Sequence, residues 1–141
     1  MQPSSFAPHS IRMDFIALTA NSVSRRFMRL SVLCALVGMG LGLYMGASED
    51  WTLRPVHVHV NLLGWVSCAL YALVYRTVPR MSEDRIARWH MTVAAVAVLG
   101  TALFFPIMLY GYDSLFPLVF LSFIAHIIGM VLFSILIFKH F

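Results

Sequence analysis

Four long apolar stretches, near 29–46, 56–78, 88–110 and 115–138, alternate with short polar breaks at 47–55, 79–87 and 111–114. Each stretch approaches the ~20 residues with which an α-helix crosses the hydrocarbon core of a bilayer. Breaks this short make consecutive helices antiparallel neighbours. The pattern therefore predicts an all-α integral membrane protein, a four-transmembrane-helix bundle covering 29–141 and preceded by an N-terminal segment, 1–28. Residues 1–24 mix Ser, Pro, Thr and Asn with scattered apolar residues, and their basic cluster follows rather than precedes the apolar ones. That order does not suit a secretory signal and predicts an interfacial or partly disordered lead.

Composition sharpens this picture. With 60% hydrophobic residues and a mean hydropathy of +0.83, the chain lies outside the range of soluble domains. Its formal net charge of +4 is explained by position. Arg12, Arg25, Arg26 and Arg29 precede the first stretch, Arg76, Arg80, Arg85 and Arg88 lie around the second break, and Lys139 ends the fourth. Arg54 alone shares the other side with Glu49, Asp50 and Asp113. By the positive-inside rule both termini are expected on the cytoplasmic side, and the basic balance needs no nucleic-acid partner.

Candidate chemistry lies where polar residues interrupt the apolar stretches. Arg54-Pro55-Val56-His57-Val58-His59-Val60-Asn61 opens the second stretch, and Pro55 suits the first turn of a helix. Residues two apart on a helix diverge by roughly 200°, so His57 and His59 face opposite flanks and suit two separate centres rather than one. Ionisable residues within a span are functional candidates, although a histidine bonded to a neighbouring backbone explains one equally well. His126 is the polar break in the fourth stretch. Counted at about 1.5 Å per residue, it lies roughly 13–17 Å below the outer end, against about 3–6 Å for His57 and His59. His90, beside Trp89, falls at the opposite membrane face and reads as an interfacial histidine. His9 and His140 carry no specific expectation.

Gly38, Gly42 and Gly46 recur at four-residue spacing in the first stretch. Small residues at that spacing bring helices close together, here within the subunit or between subunits. Cys34 and Cys68 read as small hydrophobes. The absence of CxxC and CxxCH argues against a zinc cluster and covalent c-type heme.

The residues from about Val56 to Asp113 resemble the tenth and eleventh transmembrane helices of the heme-copper oxidase catalytic subunit. The ordered set is His57-Val58-His59, then Tyr75-Arg76-Thr77-Val78-Pro79, Trp89-His90 and Phe104-Phe105-Pro106-Ile107-Met108-Leu109-Tyr110-Gly111-Tyr112-Asp113. The resemblance implies that His57 ligates a high-spin heme and His59 a low-spin heme. It leaves the second axial ligand to His126 or to another subunit. The family histidine after Phe-Phe-Pro-x is Met108 here, the copper-binding histidines lie on helices this chain lacks, and the family's arginine pair is absent, leaving Arg54 to neutralise a propionate. One chain thus has no complete oxygen-reducing site. Three copies would supply twelve helices, which motivates a homo-oligomer, a trimer or dimer.

These residues lead to a b-type heme protein of the bacterial inner membrane, transferring electrons with a respiratory-chain partner or binding a diatomic gas, O2 or NO. Its cofactor-binding residues are expected to be His57, His59, His126, Arg54 and Asn61, because neutral imidazole is an axial ligand of heme iron. Two alternatives remain open. In one, His57, His59 and Met108 bind copper, which accepts imidazole and thioether. In the other, the chain is a cofactor-free assembly or interaction subunit of a respiratory complex.

Overall fold

A computed structural model describes residues 8–141, with side chains from Ser22 onward. Expectations placed on residues 1–7, and on the side chains of His9 and Arg12, lie outside the described residues. All regular elements among the described residues are helical. They run α1 Pro8–Ser48, α2 Arg54–His59, a π-helical segment Val60–Val66, α3 Ser67–Thr77, α4 Pro79–Glu83, α5 Arg85–Leu109, a 3-10 turn Asp113–Leu115 and α6 Phe116–His140. Four stretches are long and apolar enough to cross a membrane: Ser22–Ser48, Arg54–Thr77, Arg85–Leu109 and Asp113–His140. They match the apolar pattern to within a few residues, except that the first begins earlier. Among the described residues α1 runs from Pro8, so the part of the lead from residue 8 to 24 is helical and continuous with the first span.

The bundle has an acidic end, carrying Glu49, Asp50 and Asp113, and an arginine end, carrying Arg80, Arg85 and Arg88. Large apolar side chains such as Leu33, Leu43, Val96, Phe120 and Ile127 face outward, as hydrocarbon surroundings permit. The interior holds Phe27, Val56, Cys68, Ala72, Tyr75, Met81 and Leu136. Small residues set the helix contacts, because packing must hold helices together where lipid is as apolar as their side chains. A Cβ at Gly38 would overlap the Asn61 amide, and one at Gly42 would lie 3.1 Å from His57 Cε1. The glycine stripe thus serves the contact between α1 and the second span, while Gly40 and Gly46 meet nothing within 4 Å. Cys34 and Cys68 are free and buried; Cys34 fills the space that Gly64 leaves. Hydroxyls add links between helices, Ser24 Oγ to Ala72 O at 2.8 Å and Ser31 Oγ to Trp65 O at 3.0 Å.

The π segment is absent from the sequence reading. At its end the backbone N–H and the hydroxyl of Ser67 both reach Leu62 O, the hydroxyl at 2.8 Å. At its start, Asn61 Nδ2 donates to His57 O at 2.8 Å, so a side-chain amide serves a carbonyl where the α-helical ladder changes. π turns inside α-helices frequently mark functional sites.

The arginine end is less solvated than its charges suggested. α4 turns inward, burying Met81 and Ser82, and Ser82 Oγ reaches Tyr75 O at 3.4 Å. Asp84 caps α5 by accepting from Ile86 N at 3.0 Å and binds α6 through Lys139 Nζ at 2.7 Å and His140 Nε2 at 3.5 Å. At the acidic end, Gly111 adopts φ 101° in the turn after α5, where a side chain would be strained.

Two predictions follow from this packing. Gly64→Ala would put a Cβ 2.7 Å from Cys34 Sγ and should destabilise by about 1–3 kcal/mol, whereas Gly40→Ala should be neutral or stabilising by up to ~1 kcal/mol; thermal melts in detergent compare them. Lys139, and after it the Ile86 N–H, hold the Asp84 carboxyl below its ordinary pKa. The stabilisation from a depressed carboxylate is complete above its unfolded value of about 3.9 and is lost as pH falls through the lower folded value. Asp84→Ala should therefore cost about 1 kcal/mol at neutral pH, and the gap from wild type should narrow as pH falls below the ordinary carboxylate range. A gap that persists unchanged in acid would contradict this account.

Candidate functional site

The i, i+4 ridge His59, Leu63, Ser67 and Tyr71 on the second span faces a ridge of His90, Ala94 and Val98 on α5. With Phe123, His126, Ile127, Gly129 and Met130 of α6 they enclose a cavity of about 320 Å³, within the size range of small-molecule sites. Histidines from three helices line it. His59 lies toward the acidic end, His90 toward the arginine end, and His126 between them.

The expected divergence of the His-x-His pair is present. His57 packs against α1, with Nδ1 at 2.9 Å from Gly38 O, and does not line the cavity. His59 faces α5 and α6, its ring 5.8 Å from Phe105 and 5.0 Å from Phe123, edge-on to both. Its Nδ1 lies 2.7 Å from Pro55 O. A carbonyl can only accept, so the Nδ1 proton of each ring is fixed and Nε2 keeps its lone pair. Metal-binding histidines show this arrangement, the outer N–H held while the other nitrogen coordinates.

His126 is brought closer to His59 than its sequence depth suggested. Phe123, about seven residues or ~10 Å into α6, stands beside His59, about five residues or ~8 Å into the second span. His126 is one turn deeper, its ring 6.5 Å from that of Phe123. The second span opens at Arg54, two residues before the expected 56, which sets His59 about 3 Å deeper along its helix and narrows the gap. His126 Nε2 lies 3.2 Å from Thr101 Oγ1. Coordination through that nitrogen therefore requires the threonine hydroxyl to let go.

His90 departs furthest from expectation. It is fully buried rather than interfacial, because Trp89 takes the outward position on α5 and His90 the inward one. Phe27, Tyr71, Tyr75 and Phe133 surround its ring at centroid distances of 4.6–5.9 Å. Nδ1 is 2.9 Å from the Tyr75 hydroxyl, while Nε2 has no partner among the described residues.

Asn61 was expected among the cofactor-binding residues, but it lies on the α1 flank with its amide on His57 O and does not line the cavity. Arg54 is exposed at the head of α2, about five residues or ~8 Å along the span from His59. His57 and His59 occupy opposite flanks, so with Met108 they do not converge on one copper ion. No group of three or more His, Cys, Asp or Glu able to hold a metal ion occurs among the described residues. Tyr71, Tyr75, Thr101 and Met130 were not singled out as site residues. Their available signals were Tyr71 and Tyr75 at i, i+4 within an apolar stretch and the 59-63-67-71 ridge.

No family model and no solved structure matches the chain. The cbb3-type cytochrome c oxidase subunit CcoN1 of Stutzerimonas stutzeri is 32% identical over 77 residues, covering 45% of this chain. The match takes in 16% of that relative's length, so this chain corresponds to a small part of it. The four membrane-length helices make this a multi-pass membrane protein, and the match shows that it resembles a portion of heme-copper oxidase subunit I.

Proposed function

We propose that the chain is a b-type heme protein of the bacterial inner membrane, with both termini cytoplasmic, that passes electrons to or from a respiratory-chain partner. The observation that carries this reading is His59, whose Nδ1–H is held by Pro55 O at 2.7 Å and whose Nε2 lone pair remains available on a cavity shared with His126. The donors fit the group: a neutral imidazole from one helix, a second from another, and an apolar, aromatic lining suited to a porphyrin face. Heme supplies reversible one-electron chemistry at iron when bound. The protein's part is orientation. Pro55 O sets the tautomer of His59, Phe105 and Phe123 limit its ring rotation, and Arg54 offers a counter-charge for a propionate at the acidic end.

A second reading, diatomic gas binding, is favoured by the Thr101 contact. While Thr101 holds His126 Nε2, iron on His59 would keep one coordination position open for a gas; release of that contact would supply the second imidazole. His57 acts structurally in both readings, joining the second span to α1.

Two measurements test these statements. The detergent-purified protein, produced with heme supplied, should show a b-type reduced spectrum and about one pyridine hemochrome per chain. His59→Ala should lower heme content at least ~10-fold, whereas His57→Ala should lower thermal stability but leave heme bound; a colourless wild type would remove the heme reading. Carbon monoxide should shift the Soret band of any population in which Thr101 retains His126. Thr101→Val, which frees His126, should enlarge the low-spin, carbon-monoxide-insensitive fraction. A variant as sensitive as wild type would exclude Thr101 as the control on the second ligand.

A further inference from the structure

The His90 end of the cavity has hydrogen-bond donors without acceptors. The Tyr75 hydroxyl is fully buried, and among the described residues His90 Nδ1 is its one hydrogen-bond partner. If Nδ1 carried the proton, the Tyr75 hydrogen and the Nε2 lone pair would both be unpartnered. If Tyr75 donates to Nδ1, only Nε2–H is left over, so fewer buried orphans select the Nε2–H tautomer. His90 is then a donor on the cavity rather than a metal ligand. Its Cδ2, bonded to that nitrogen, faces Gly129, where an added Cβ would lie 3.8 Å away; the cavity wall is bare backbone there. A second donor stands beside it. Tyr71 lines the same end with its ring 4.6 Å from His90, and among the described residues its hydroxyl meets only Met130 Sδ, at 4.0 Å.

Two donors, one without a partner among the described residues and one facing only a thioether there, and hydrocarbon surroundings specify a ligand. It must be neutral, since the described residues place no charged side chain on the cavity lining. It must be apolar enough to arrive through the bilayer, past Ile127 and Met130, which flank the cavity and are lipid-exposed. It must also present an sp² oxygen, whose two lone pairs accept from two donors. We infer that the His90 end of this cavity binds the carbonyl of a lipophilic quinone, with His90 Nε2–H and the Tyr71 hydroxyl as donors. This goes beyond the heme reading and does not require it.

The test is a chemical double-mutant cycle on the purified, heme-loaded protein in detergent, with heme content recorded separately. Binding of decylubiquinone and of a decyl-substituted benzene lacking the carbonyls is followed by quenching of intrinsic fluorescence. Wild type should prefer the quinone by about 10-fold or more, from hydrogen bonds of ordinary strength. His90→Phe should abolish most of that preference, and Tyr71→Phe, which removes only a hydroxyl, should reduce it severalfold. Gly129→Val should weaken the quinone by filling the cavity with both donors present. Equal affinity for the two probes in wild type, or a preference unchanged in both donor variants, would each overturn the inference. A protein that binds quinone but carries no heme would fail the heme reading alone.

Discussion

A bilayer core offers no water to hydrogen-bond, so each polar group within it must find a partner in the protein. That constraint accounts for the interior of this bundle more fully than apolar packing does. Ser24 and Ser31 bond backbone carbonyls of the second span across the helix interface; Ser122 and Ser134 bond carbonyls four residues earlier in α6. The imidazoles follow the same rule with a chemical consequence. A carbonyl holding Nδ1–H leaves the Nε2 lone pair of His59 on the cavity and ties His57 to α1, whereas a phenol on Nδ1 makes His90 a donor of a hydrogen bond. One residue type thereby serves three purposes, set by whether its partner is a carbonyl, a threonine or a tyrosine.

The two flanks of the second span divide labour. On the α1 side, glycines bring the backbones close enough for His57 to bond Gly38 O, so this flank is filled by protein. On the α5 and α6 side, small residues such as Ala94 and Gly129 leave the cavity. The resemblance to a two-heme arrangement thus meets a chain in which a single flank offers room. The relative is a much longer protein, and this chain corresponds to 16% of it.

The spans were legible because hydrophobicity over about 20 residues is a direct consequence of bilayer thickness. The opposite facing of His57 and His59 was legible from helical geometry alone. Depth was not. His90 sits one residue from an interfacial tryptophan, and only the rotation of α5 shows that one faces out and the other in. The gap between His59 and His126 was overestimated because the depth of His59 depends on where the second span begins, which sequence bounds only to a residue or two. The roles of Tyr71, Tyr75 and Thr101 rest on contacts 15 to 59 residues apart, and no local pattern encodes them. Asn61, polar and near the histidine pair, was a reasonable ligand candidate; the change of helix type at Val60 gave its amide a backbone carbonyl instead.

The π segment has a consequence for the span as a machine part. Between His59 and Tyr71 the wider turn accommodates one residue more than an α-helix of the same length would, so it sets the rotational phase between the helix before it and the helix after it. Conversion of Val60–Val66 to α-helical bonding would turn these two helices against each other by about 100°, one residue's worth of helix. With His59 held on the cavity by its aromatic neighbours, that turn would carry Tyr71 and Tyr75 away from His90. The relative facing of the two ends of the cavity is therefore set by the seven residues Val60–Val66.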